Sequence, residues 1–429
     1  MHSARAGRVR RSSWLLATAC LAMLIAACNT SRLLDVTPTD RVPLTLYDNP
    51  SQATLMVNSA QTEFECAHAS AVTVEAIISD ELADAQLGAA AWPYDRRDAN
   101  TQPNGSYGTN NCESNQTPGI YLPLSTARWA GDNALTTLQG WTDAQVGSQR
   151  TALIARAALY AGFSYADMGM SMCEAAFDLG PKVNQAGMFA LAEQRFTTAI
   201  TAAQQAGLTN IRNAAYLGRA RVRLFQANTA GAAVDAALVP AGFVFNATHD
   251  AGDNRRYNRV YAAVSHFGNY TVDPASRDLT TEGVIDPRAA VVKLSTRPAD
   301  NKAVMYGPAK FTSDGSPLRV ATYDEAQLIL AEVAGGAQAA TIINGLRDAA
   351  SLPHYTGATD PASIRQLITN ERQRALFVEG FRNYDIQRFA IPLTPAPGTP
   401  YPTKGGNYGN TTCLPLPDIE RFNNPAVGT

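Results

Sequence analysis

The sequence lacks a membrane span. Its longest uncharged stretch runs from Trp14 to Ala27, 14 residues reading WLLATACLAMLIAA, whereas a helix that crosses a bilayer needs about 20 apolar residues. The spacings of common catalysts are missing too: there is no GxSxG, HExxH, P-loop or GxGxxG. Histidine is scarce. His68, His249, His266 and His354 are scattered beyond the leader, and none stands beside a candidate nucleophile. No CxxC or His-rich spacing occurs, so neither metal nor cofactor is expected. A basic excess is also absent. Without the four arginines of the leader, 31 basic residues face 37 acidic ones, a net charge of −6. Nucleic acid, which requires a basic surface, is excluded as a partner on that ground.

What is present begins with an address. Arg5, Arg8, Arg10 and Arg11 precede the uncharged stretch, which closes on Leu24-Ile25-Ala26-Ala27-Cys28. A basic region, a short apolar region and small residues before a cysteine read as a lipoprotein signal over residues 1–27. Cleavage leaves Cys28 to be acylated, and two or three acyl chains anchor a protein stably. Residues 28–50 then form a lipidated tether and an extended segment whose Pro and Asp content disfavours helix. The expected protein is a single body, 51–429, on a lipid anchor.

Four cysteines remain in that body: Cys66, Cys112, Cys173 and Cys413. An even number in an oxidising compartment favours disulfides over metal binding. Three pairings exist. The preferred one joins Cys66 to Cys112, pinning a polar loop to the first helix, and Cys173 to Cys413.

Helical periodicity begins near Asn49-Pro50-Ser51 and dominates residues 123–238, where small and apolar residues recur at spacings of three and four. Ala199, Ala215 and Ala220 stand where helix axes can approach closely, as in tetratricopeptide-type hairpins. Trp129 and Trp141, at helical spacing, are expected in the core. Residues 100–118 are loop: 14 of the 19 are Asn, Gly, Pro, Ser or Thr. Residues 241–317 are irregular and rich in aromatics, a length of unpatterned chain that is usually functional. Helices return at 323–333, 337–350 and 361–389, the last opened by Asp360-Pro361. Asp80, Glu81 and Asp84 lack calcium-loop spacing and read as the solvated end of a helix.

The C-terminal third is specific. ERQRALFVEGFRNYDIQRF (371–389) closely resembles the signature ER..EL..EG.R..DL.R of the SusD/RagB family, through Glu371, Arg372, Glu379, Gly380, Arg382, Asp385 and Arg388. Ala375 departs from it, standing where the family carries an acid. YDEAQLILAEVA, IINGLRDAASLP, Asp286-Pro287-Arg288, LLDVTP and LPLPDIERFNNP resemble further family elements in the same order. The resemblance implies a mainly α fold with tetratricopeptide-like hairpins and an irregular ligand-binding half. It also implies a lipoprotein that faces the cell surface in a bacterial outer membrane. There it would bind a nutrient, typically an oligosaccharide, and deliver it to a TonB-dependent SusC-like channel.

Aromatic rings stack on the C–H faces of sugars, and Asn, Asp and Arg bind their hydroxyls. Trp92, Tyr94, Asp95, Arg96 and Asn100 form one such set, in a segment where family members commonly place ligand contacts, with Tyr107 near by. Tyr257, Asn258 and Tyr261 form a second. Each Glu of the signature has arginines close in sequence, and these keep carboxylates ionised. Glu371, Arg372, Glu379, Arg382, Asp385 and Arg388 are therefore expected to be a structural ion-pair helix, with Glu371 and Glu379 on one face. Two rivals remain: a helical scaffold that binds peptide or protein, and a glycoside hydrolase. The scaffold would bury or scatter the aromatics. The hydrolase needs two carboxyls about 5–10 Å apart across a cleft.

Overall fold

The computed structural model describes residues 48–86, 92–99, 106–114, 117–402 and 405–427. Cys28 and Asn100 lie outside them, as does the side chain of Trp92. Residues from Pro50 onward form one compact unit.

Ten helices of eight residues or more occur among the described residues. They are α1 (Ala53–Ile78), α2 (Tyr121–Gly140), α3 (Arg150–Ser171), α4 (Gln185–Gln205), α5 (Thr209–Phe225), α6 (Thr229–Ala236), α7 (Tyr323–Ala334), α8 (Gly336–Ala349), α9 (Pro361–Ala375) and α10 (Arg382–Phe389). Several starts are sealed by side chains that accept otherwise orphaned backbone N–H groups. Asn184 accepts from Gly187 (2.9 Å) and Asn228 from Gly231 (3.0 Å). Asp360 accepts from Ala362 and Ser363, with Pro361 in the first turn.

From α1 to α6 the helices pack as successive hairpins. Their close approach depends on small residues. A Cβ at Gly131 would lie 2.9 Å from Ala161 Cβ, so α2 and α3 meet nearly backbone to backbone there. Phe196 of α4 enters the space left by Gly162 and Gly218, and meets Phe163 edge to face at 4.9 Å. Ala199, Ala215 and Ala220 are fully buried, as expected. Trp129 is not: it is 42% exposed, because its face of α2 is left uncovered, and Trp141 at the helix end is half-buried. The expectation of two core tryptophans is wrong for Trp129.

Between α6 and α7 the chain makes short antiparallel ladders instead of layers. β4 (Val244–Ala247) pairs with β10 (Leu318–Thr322), and β8 (Val291–Lys293) with β9 (Tyr306–Pro308). Between these ladders many backbone polar groups bond within turns, as Phe267 does to Ala262 and Ala289 to Asp286.

The expected helix 361–389 is broken. α9 stops at Ala375 and α10 starts at Arg382. Gly380 (φ +83°) and Val378 (φ +51°) occupy left-handed backbone, which a β-branched residue adopts only under constraint. Glu379 sits in the break, so it does not share a helix face with Glu371. Cys66 is bonded to Cys112 and Cys173 to Cys413. The second bond is reinforced by backbone hydrogen bonds between Ser171–Cys173 and Leu414.

Candidate binding site at the loop cluster

α1 runs into β1 (Leu82–Asp84), which pairs antiparallel with β5 (Tyr270–Val272). The acids between α1 and β1 are not solvated. Asp80 and Glu81 are 6% and 1% exposed, because the α9–α10 break packs over them. Asp80 receives two N–H groups of Arg382 (2.6 and 2.7 Å), and Glu81 Oε1 accepts from the backbone of Val378 (2.9 Å). That reading of the acid cluster is corrected: it clamps the C-terminal segment to the end of α1.

The turn Trp92–Asp95 packs on β1. Tyr94 is buried, with its hydroxyl donating to Pro118 O (2.9 Å). Asp95 is buried as well, accepting from the backbone of Asp84 (3.1 Å) and from the Tyr401 hydroxyl. Burial drives the Asp95 carboxyl up, these two bonds pull it down, and it rests at about 6. Tyr107 is buried too. Their burial makes these three supports of the loop rather than an open binding face: Tyr401 covers Asp95, the Pro118 carbonyl takes the Tyr94 hydroxyl, and the segment around Pro417 lies beside Tyr107.

That segment brings rings absent from the sequence-based set. Arg97 is buried and donates to the carbonyls of Thr394 (3.1 Å), Pro395 and Gly409 (3.4 Å). Its guanidinium lies 5.0 Å from the centre of the half-buried Tyr408 ring, which meets Tyr401 edge to face at 5.0 Å. Arg96, half-buried, reaches Gly405 O (3.3 Å) and Asp98 (3.1 Å). Aromatics set among Gly and Pro in GTPYPTKGGNYGN (398–410) are the signal that could have found Tyr401 and Tyr408.

The second strip also differs in detail. Asn258 is fully buried: its side chain accepts from the backbone of Tyr261 (3.0 Å) and donates to Ser316 O (2.9 Å). It caps a turn, and its inclusion among ligand residues is corrected. Tyr261 is half-buried within that turn, which continues as a π-turn over Ala262–His266. Such insertions are frequent at functional sites. Its effect here is to present rings. His266 stacks on Phe267 at 4.1 Å, Tyr257 stands 6.1 Å from His266, and Asp314 lies 3.1 Å from His266 Nδ1. Phe267 and the His266 side chain are more than a third exposed. The carbonyl of Asn269, just beyond, accepts from Ala85 after β1, so each strip borders the β1–β5 ladder, the first along β1 and the second along β5.

The signature residues are buried ion pairs. Glu371, with no exposure, accepts from Arg288 Nη1 (2.6 Å) and Arg347 Nε (3.1 Å). Asp385 accepts from Arg372 (2.7 Å) and Arg388 (2.9 Å), and Arg388 also holds Glu332 (2.6 Å). Burial alone would raise the Asp385 carboxyl. The two arginines more than offset it, holding the group below the usual range. Glu379 is buried and paired with Lys310 (2.8 Å).

Two other acids are kept protonated in the core. Burial raises the carboxyls of Glu75 and Glu81 to about 8, against the hydrogen bonds from Asn383 and Val378 respectively. Glu75 lines a cavity of about 10 Å³ with His68, Asp167, Ser171, Arg221 and Glu379. That is room for one water, and no sugar could enter between those carboxyls. Among the described residues, no helix is long and apolar enough to cross a membrane.

Residues 322–413 match the model of the SusD family. No curated protein matches the chain. Solved structures share its fold. A SusD superfamily protein from Bacteroides vulgatus superposes with a TM-score of 0.65 at 17% identity, over 89% of this chain and 98% of the other. A SusD-like carbohydrate binding protein from the same organism gives 0.65 at 15%, over 88% and 97%. A laminarin binding SusD-like protein gives 0.62 at 16%, over 89% and 98%. Residues 322–413 thus carry the region that the SusD family model describes, and the chain has the fold of the SusD-like structures.

Proposed function

We propose that this chain is an outer-membrane lipoprotein, acylated at Cys28, that binds an oligosaccharide and does not cleave it. The observation that carries the reading is the loop cluster around the β1–β5 ladder. Two sets of rings border it on irregular segments: His266 and Phe267, exposed, with Tyr257 and Tyr261, and the half-buried Tyr408 with Arg96. Flat rings offer faces to sugar C–H groups, and a few fixed polar groups supply orientation. Trp92 belongs to the same turn and is assigned to the site with them. The carbohydrate- and laminarin-binding proteins that share the fold support the ligand class. The captured glycan passes to a SusC-like TonB-dependent channel on which this protein sits at the cell surface.

The test is a glycan array probed with the whole chain in detergent, alongside Trp92→Ala, Phe267→Ala and Tyr408→Ala. Loss of one stacked ring weakens binding about tenfold. Equal binding by all three variants rejects the site. A Cys28→Ser chain recovered in the membrane fraction rejects the anchor.

A further inference from the structure

The outward face of α9 carries neutral amides in a row. Gln366, Asn370 and Gln373 recur at spacings of four and three, and Gln366 donates to Asn370 Oδ1 (2.9 Å). Clefts flank this ridge. One, of about 390 Å³, is lined by Glu282, Arg347, Tyr355 and Ser363. The other, of about 370 Å³, is lined by Arg365, Thr369, Gln373, Arg382 and Phe389, and its wall continues through Ile391 and Pro392. Both volumes fall within the range of small-ligand pockets.

Their charges differ. Arg347 faces Glu282 (3.2 Å) in the first cleft, so that cleft is self-compensated and its half-exposed carboxylate repels anions. No carboxylate lines the second. There the charge of Arg382 is already matched by Asp80 (2.6 Å). Arg365 is different. It is exposed and makes no ion pair among the described residues. Its guanidinium lies 5.6 Å from the centre of the Phe389 ring and gives one N–H to the Phe389 carbonyl. The neighbouring arginines at 288, 347, 372, 382 and 388 each hold an acid. Arg374, without one, directs its donors at the carbonyls of Thr280 and Asn370. In this region Arg365 is thus a braced cation with N–H groups to spare. A guanidinium fork matches a carboxylate in bidentate fashion.

We infer that the cleft between α9 and residues 389–392 is a second glycan subsite that takes an acidic sugar, a uronate. Its carboxylate pairs with Arg365, and its hydroxyls bond Gln373, Asn370 and Thr369. This rests on the glycan reading above but uses none of the loop-cluster residues. The cleft wall leads directly into Thr394 and Pro395, the segment that Arg97 holds at the loop cluster.

The experiment is calorimetric titration of the whole chain in detergent with trigalacturonate and, separately, with neutral galactotriose. Trigalacturonate is expected to bind more tightly and to weaken with added salt. Arg365→Gln should cost it about tenfold, the order expected for a charge-assisted hydrogen bond. Arg365→Glu should abolish its binding, and Gln373→Ala should weaken it. Equal affinity for the two trisaccharides overturns the inference. So does undiminished uronate binding by Arg365→Glu. If uronate binding depends on Arg365 while the loop-cluster variants leave every glycan unaffected, the inference stands and the loop-cluster reading fails.

Discussion

The helices from α1 to α6 and the segments from α7 to the end both contain apolar clusters and ion pairs, but in different proportion. In the first region rings and small residues fill the centre, with a few buried pairs such as Arg219 and Arg223 on Asp235 beside them. Phe64, Phe163 and Phe196 meet at 5.9 and 4.9 Å, and glycines let the helices close on them. In the second, buried arginines cross-link acids, as Arg347 does with Glu371 and Arg372 and Arg388 do with Asp385, and the network extends to earlier parts of the chain through Arg288 on Glu371 and Arg382 on Asp80. The difference follows from backbone shape. Regular helices satisfy their own polar groups and present continuous apolar faces. A broken helix and short ladders cannot, so long charged side chains reach across the gaps. Buried pairs of this kind gain little net stability over apolar packing, but losing one partner is costly.

The seam between the regions should be the most sensitive point. Cys173–Cys413 closes a loop of 240 residues, and on chain-entropy grounds opening such a loop costs about 5 kcal/mol. Cys413→Ser with Cys173→Ser should show this in denaturant melts. A loss below about 1 kcal/mol would mean that the regions are held together without it.

Within the regions, Phe196→Ala and Glu371→Ala should cost similar amounts, about 4 kcal/mol each, for different reasons. The first leaves a cavity; the second leaves two buried arginines unpaired. The contrast is sharpened by rescue. Adding Arg288→Met and Arg347→Met to Glu371→Met should recover most of the loss. If the apolar triple is no more stable than Glu371→Ala, the ion pairs are not what they replace.

The smallest effect is one of pH, and the two regions oppose each other in it. Glu75 and Glu81 titrate near 8 when folded, against 4.5 ordinarily. Between those values the folded chain keeps protons that the unfolded chain has lost. Their contribution is complete below about 4.5 and fades as pH rises through 8. Asp385, held low by its arginines, acts the other way and loses its contribution in acid. The melting temperature should therefore fall by about 3–6 °C between about pH 5.5 and about pH 8.5, and Glu75→Gln should flatten the slope. A rising curve would show that these acids ionise freely.

Legibility followed the same division. Periodicity located the hairpins of 123–238, and Asp360-Pro361 marked the start of α9, because caps and helix faces are local. The break after Ala375 was hidden: Gly380 is its one visible sign, and Val378 in left-handed backbone has none. Trp129 shows that spacing places a residue on a helix face but does not say what covers that face. At the loop cluster the aromatic signal pointed to the 92–97 turn but could not show which of its side chains are buried. Asp95 is covered by Tyr401, 306 residues away, and only the folded chain shows that Tyr401 and Tyr408 stand there.

The clamp at the end of α1 also orders events in time. Glu75 meets Asn383, Asp80 meets Arg382 and Glu81 meets Val378 at separations of 308, 302 and 297 residues. A chain emerging from its amino end carries these three acids through nearly its whole synthesis with no partner yet made. Contacts so distant in sequence form slowly, and unfinished helical faces are prone to association while they wait. The clamp at the end of α1 can therefore close only after the chain has been made through Val378, Arg382 and Asn383. A chain truncated before Val378 would keep most of its helices and still leave the clamp open.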